Sequence, residues 1–130
     1  MSEEASKPTI LLLEDESQLS ATVSANLANE FEVETASTYE EAILLLNTHK
    51  FDVLLSDQML PGKKQGLDFL AEAMRQQPDA RRILVTGYLN PELLARGVPF
   101  AQLSACLVKP VDIDKLRATI RRALASPAET

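Results

Sequence analysis

The chain has 130 residues, the length of one domain, and with 45% hydrophobic and 25% charged residues it can bury an ordinary globular core without disulfides or a structural metal. Its 19 acidic residues outnumber 13 basic ones, for a formal charge of -6, a balance that excludes direct nucleic-acid binding, which draws on basic patches. No apolar run is long enough to cross a bilayer, residues 1–8 are too polar for a secretory signal, and the single Cys106 forms neither an internal disulfide nor a cysteine metal cluster, so a cytoplasmic protein with no membrane partner is expected.

The first predicted element is a strand. Ile10, Leu11, Leu12 and Leu13 form an unbroken apolar run that stops at acids, the pattern of a strand covered on both faces. Leu19, Val23 and Leu27 then recur at helical spacing over residues 17–30. Phe31, Val33 and Thr35 alternate with Glu32 and Glu34, as in a strand near a sheet edge. Ser37, Thr38, Tyr39 and Glu40 predict a capping box in which Glu40 reaches back. The helix it opens carries Ala42, Ile43, Leu45 and Leu46 and ends near His49. Val53, Leu54 and Leu55 predict a second buried strand, stopped by Ser56 and Asp57. A loop with Pro61, Gly62 and Gly66 leads into a helix with Leu67, Leu70, Ala71 and Met74, which ends by Pro78.

Ile83, Leu84 and Val85 form a further buried strand that ends at Thr86 and Gly87. Asn90 as cap and Pro91 in the first turn start a fourth helix, which Gly97 and Pro99 stop; the pattern assigns no state to residues 100–103. Leu107 and Val108 make a short last strand before Lys109 and Pro110. A closing helix over residues 113–125 turns Leu116, Ile120, Ala123 and Leu124 to the core. The basic pairs Lys63 and Lys64, Arg81 and Arg82, and Arg121 and Arg122 read as solvated surface pairs. Cys106, inside an apolar run, reads as a small buried hydrophobe, and His49 as a solvated residue.

Strands that alternate with helices imply an α/β fold: a flavodoxin-like, doubly wound (βα)5 arrangement with a five-stranded parallel sheet in the order 2-1-3-4-5. In such sheets ligands bind beyond the carboxyl ends of the strands. Glu14 and Asp15 follow the first strand, Asp57 the third, Thr86 the fourth and Lys109 the fifth. Each has an ordinary alternative: Asp15 as a helix cap, Asp57 as a turn residue, Thr86 as a locally satisfied hydroxyl, Lys109 as a surface lysine. Their joint placement is what carries the argument. Three crowded carboxylates repel one another, and a hard cation such as Mg2+ relieves the crowding. An aspartate there can act as a nucleophile toward phosphorus, while an ammonium and a hydroxyl stabilise the equatorial phosphoryl oxygens.

The segments around Glu14–Asp15, Asp57–Pro61, Thr86–Tyr88 and Lys109–Pro110 together resemble the four signature blocks of response-regulator receiver domains, over nearly the whole chain. The resemblance implies that Asp57 is phosphorylated by a histidine kinase or phosphotransfer protein. It implies that Glu14, Asp15, Asp57 and the backbone carbonyl of Met59 hold Mg2+, that Thr86 and Lys109 bond the phosphoryl group, and that the bond from Lys109 to Pro110 is cis. It also implies a downstream output domain or partner protein, at most slow self-dephosphorylation, and a family habit of homodimerisation. The chain departs from the pattern at Glu14, where Asp is frequent, in a loop over residues 61–66 that is one residue longer than the commonest form, and, most importantly, at Cys106. Three residues before Lys109 many members carry Tyr or Phe, and this chain has Cys106; Tyr88, two after Thr86, is the candidate to take over its part in the switch surface beside Pro110.

Three other readings stand beside this one. A pseudo-receiver would use the same fold as an interaction module not controlled by phosphorylation, against which stands the full acidic set with Thr86 and Lys109. An aspartyl phosphatase needs a second Asp two residues beyond the nucleophile, where this chain has Met59. Nucleotide binding needs a Gly-rich loop after the first strand, and there is none. The expected organisation is a disordered tail over 1–8, a receiver domain over 9–125, and a C-terminal tail or linker start over 126–130, in a chain that either stands alone or is part of a longer protein.

Overall fold

A computed structural model describes residues 7–88, 91–92, 95 and 100–126. Five strands, β1 (Thr9–Leu13), β2 (Glu32–Ala36), β3 (Val53–Asp57), β4 (Arg81–Thr86) and β5 (Ala105–Val108), form one sheet. Every pairing is parallel and the order is β2-β1-β3-β4-β5, as expected. Four helices are described in full: α1 (Ser17–Leu27), α2 (Tyr39–Thr48), α3 (Gly66–Gln76) and α4 (Ile113–Ala125). Between β4 and β5, Pro91, Glu92 and Ala95 are helical, as are Phe100 and Ala101. The expected cap at Asn90 and stops at Gly97 and Pro99 lie outside the described residues, as do the tails at 1–6 and 127–130.

Alternate residues of the central strands feed two separate cores, because successive side chains point to opposite faces of a sheet. Leu11, Leu13, Leu54 and Leu84 pack with α2 and α3 on one face. Ile10, Leu12, Leu55, Ile83 and Val85 pack with α1 and α4 on the other. That two-sided burial is why β1 and β3 read as unbroken apolar runs. β2, at the edge, keeps Glu32 and Glu34 exposed and alternates.

The helix ends correct several expectations. The cap of α2 is Thr38, whose hydroxyl accepts from the Glu41 N–H at 3.1 Å. Glu41, not Glu40, reaches back, accepting from Ser37 N–H at 2.8 Å. The box is shifted by one residue because the helix starts at Tyr39. At α1 the cap position is Glu16, so the alternative of Asp15 as cap does not hold, and the helix ends at Leu27.

The pair Arg81 and Arg82 is not a solvated pair. Arg82 is buried, and its guanidinium donates to the carbonyls of Ala101 at 2.8 Å and Ala80 at 2.7 Å. A guanidinium in the core needs donors matched to acceptors, and carbonyls at the ends of neighbouring segments supply them. Arg81 is half-buried and donates to Ala123 O at 3.0 Å. Arg121 and Arg122 are exposed, as expected, and Arg121 makes two bonds of 2.6 Å to Glu30. Lys63 and Lys64 are exposed, as expected.

Candidate functional site

The site lies where the sheet's carboxyl edge meets the loops. β1 ends at Leu13, so Glu14 and Asp15 leave the sheet beside the end of β3, whose last residue is Asp57. Carboxylate oxygens of Glu14, Asp15 and Asp57 all lie within 4.8 Å of one another. Glu14 and Asp57 are each only 5% exposed, whereas Asp15 is exposed. From β5 Lys109 reaches across, its Nζ 3.3 Å from Glu14 Oε1 and 3.3 Å from Asp57 Oδ2. Lys109 is itself held to the neighbouring strand end, its N–H donating to Thr86 O at 2.8 Å. Its bond to Pro110 is cis.

Burial dominates the electrostatics of the two inner carboxylates. For Asp57, loss of water raises the pKa, and the fields of Lys109 and a Gln58 backbone bond only partly offset it. Glu14 is likewise raised by burial, against the opposing bond from Glu16 N–H at 3.1 Å. Burial pulls the Lys109 ammonium down, but the two carboxylates together outweigh it and hold its pKa above the ordinary value. The cluster is therefore short of positive charge. Three hard oxygen donors in that state suit Mg2+, which takes a few carboxylates and keeps waters.

Thr86 is buried at the end of β4. Its hydroxyl is engaged locally, donating to Tyr88 O at 3.0 Å and accepting from Tyr88 N–H at 3.2 Å. The Tyr88 side chain is 73% exposed. Met59 follows Asp57 by two residues with its side chain 70% exposed. Cys106 is half-buried against the α2–α3 core, and burial pushes its thiol up.

Two residues that fix Asp57 from behind carry almost no signal in the sequence. Gln58 N–H donates to Val85 O at 2.8 Å, its carbonyl accepts from Gly66 N–H at 3.0 Å, and its side chain accepts from Leu67 N–H at 3.0 Å. Gly66, the first residue of α3, sits so close that a Cβ there would fall 2.1 Å from the Asp57 carbonyl oxygen. A glycine opening a helix was the one available hint, and it reads equally well as a loop residue.

Residues 10–121 match the family model for the response regulator receiver domain. The hydrogenase transcriptional regulatory protein HoxA of Cupriavidus necator is 34% identical over 116 residues, covering 89% of this chain but 24% of that protein. The chain thus spans about a quarter of the curated relatives it matches first. A response regulator receiver domain protein (CheY-like) from Methanospirillum hungatei is 29% identical, with a TM-score of 0.86 over 92% of this chain and 95% of that one. A response regulator protein from Burkholderia pseudomallei, whose crystal structure holds a phosphorylated aspartic acid, a calcium ion and citrate, is 25% identical, with a TM-score of 0.81 over 92% of this chain and 69% of that one.

Proposed function

The chain belongs to the response regulator receiver domain family, and from that membership we propose that it is a signalling switch that takes a phosphoryl group onto Asp57 and changes a partner-binding surface in response. The observation that carries this reading is the buried Asp57 carboxylate, set within 4.8 Å of two further carboxylates and 3.3 Å from the Lys109 ammonium. The bound calcium and the phosphorylated aspartic acid of the Burkholderia relative support the same reading.

In the proposed reaction an Asp57 carboxylate oxygen attacks phosphorus, the bond from phosphorus to the donor nitrogen breaks, and the product is an acyl phosphate. Glu14, Asp15, Asp57 and the Met59 carbonyl would hold Mg2+, which supplies positive charge to the carboxylates and the phosphoryl oxygens. Lys109 adds an ammonium beside Asp57 that would also face the phosphoryl oxygens. Its backbone is tied to Thr86 O, and its ammonium is drawn to Glu14 and Asp57 at 3.3 Å each.

Thr86 is the switching element. Once its hydroxyl proton turns to a phosphoryl oxygen, its bond to Tyr88 O is lost. The turn carrying the exposed Tyr88 ring is then free to take a second position, and phosphorylation shifts the population toward it. The partners of this reading are a histidine kinase or phosphotransfer protein upstream and an output domain or protein downstream. The transcriptional regulators it resembles support an output domain in the same chain. The reading makes the domain a regulator and not an enzyme beyond slow self-dephosphorylation, and carries with it the cytoplasmic setting expected above.

The test is intact mass after incubation with acetyl phosphate, with and without Mg2+. Expected is a Mg2+-dependent gain of one phosphate, labile to hydroxylamine and absent in Asp57→Asn. No gain from acetyl phosphate or from a histidine kinase, with Mg2+ binding confirmed, overturns the switch and leaves a pseudo-receiver.

A further inference from the structure

We propose that the cavity between α1 and α4 is a binding site for a small organic cation, an apolar body of aryl-alkyl size whose single ammonium head sits on Glu14 and Asp57. The cavity encloses about 480 Å³, within the range of small-molecule sites. Leu12 and Leu55 of the central strands, Leu19 and Val23 of α1, and Val111 and Ile113 at the start of α4 line it. Leu19, Val23, Val111 and Ile113 are only half-buried, so apolar surface is left uncovered there.

The two helices are joined at one end by ionic and hydrogen bonds. Arg117 donates to Asn26 O at 3.0 Å and Arg121 to both Glu30 oxygens at 2.6 Å. These bonds latch the end of α1 to the middle of α4. The cavity is lined from the other ends, by Leu19 and Val23 of α1 and by Ile113 and Leu116 of α4.

The charged end sets the chemistry of the occupant. Glu14, Asp57 and Lys109 all line the cavity, and both carboxylates are more than nine-tenths buried. Lys109 contacts each at 3.3 Å, longer than the roughly 2.8 Å of a full charge-assisted bond. Each carboxylate therefore keeps acceptor capacity, and the trio carries one net negative charge before Asp15 and Glu16 are added. An anion is repelled. A neutral apolar molecule would remove water from the carboxylates and return nothing. An ammonium answers both demands, while its apolar body covers the exposed walls.

The ammonium and Mg2+ draw on the same carboxylates, so each excludes the other. The binding does not depend on phosphoryl transfer, but its consequence, blocked phosphoryl uptake, rests on the function proposed above.

The experiment titrates methyl-labelled, metal-free protein with phenylbutylamine and, separately, phenylbutanol, following the methyl NMR signals. Expected are saturable shifts at Leu19, Val23, Val111 and Ile113, at least about tenfold tighter for the amine than for the alcohol, and reversed by Mg2+. Val23→Phe, which fills the cavity from α1, should abolish the shifts. Should that variant not fold, Mg2+ competition on the wild type decides. No saturable shift, equal affinity for amine and alcohol, shifts at other residues, or shifts that Mg2+ leaves unchanged would overturn the site. Amine binding in a protein that takes up no phosphate would keep this site and sink the switch; phosphate uptake without amine binding would do the reverse.

Discussion

Replacing Asp57 by Asn should stabilise the metal-free fold. Repulsion from Glu14 and Asp15 at up to 4.8 Å is worth about 3.5 kcal/mol each at an effective dielectric near 20, with the exposed Asp15 counting for about half. Lys109 at 3.3 Å returns about 5 kcal/mol on the same scale. The Coulomb contributions therefore nearly cancel. What remains is the desolvation of a carboxylate that is 5% exposed, a cost of about 1–2 kcal/mol once its hydrogen bonds are counted. For a domain of this size that corresponds to a rise in Tm of about 3–8 °C. Because the folded pKa of Asp57 is raised, its protonated form favours the fold. That contribution is complete below the unfolded pKa and is lost as pH rises through the folded one. The advantage of Asn should accordingly be full at neutral pH and vanish as pH falls below the ordinary carboxylate range. Thermal melts of both proteins in a chelator at low salt, across pH, measure it. Adding Mg2+ should raise the wild-type Tm and leave Asn nearly unmoved. An Asn variant less stable than wild type at neutral pH without metal would refute the argument that desolvation governs this site.

Three further expectations concern residues around the site and the helix latch. Gly66→Ala should cost about 2–3 kcal/mol, because its Cβ would fall 2.1 Å from the Asp57 carbonyl oxygen. The backbone shift it forces should also slow phosphate uptake, so an Ala variant of wild-type stability and rate would contradict the packing. Arg82→Met should lower the urea midpoint, by about 2 kcal/mol in stability, since the carbonyls of Ala101 and Ala80 lose their donor; an unchanged midpoint would show that they find others. Glu30→Gln weakens the latch to Arg121. The Arg121 hydrogen bonds lower the Glu30 pKa, so its stabilisation is present above the ordinary carboxylate range and is lost as pH falls through the lowered value. Wild-type and Gln melts should differ at neutral pH and converge in acid and in high salt; a difference that persists in acid would assign it to something other than this ion pair.

Much of the fold was legible because its signals are local. Apolar runs bounded by acids marked β1 and β3, and alternation marked β2, because burial on two faces or one is written into side-chain period. The closing helix was read to its observed bounds from Leu116, Ile120 and Leu124. Where a local rule had two neighbouring answers it could slip by one residue, as between Glu40 and Glu41. The arginines show the sharper limit. Adjacent charges read as surface by default, and only the carbonyls of Ala80 and Ala101, brought to Arg82 from its own strand entry and from a segment 19 residues on, make a buried guanidinium tolerable.

The sequence by itself determined the strand ends at which Glu14, Asp15, Asp57, Thr86 and Lys109 stand, and parallel topology is enough to bring those ends to one edge. Tertiary structure alone decided that two of the carboxylates are buried and the third exposed, and that Gly66 presses on the Asp57 carbonyl. It also decided that residues of α1 and α4 together line a cavity. Burial and gaps depend on side chains from distant segments meeting in space, and even a near pair such as Asp57 and Gly66 is set by how the intervening loop folds back.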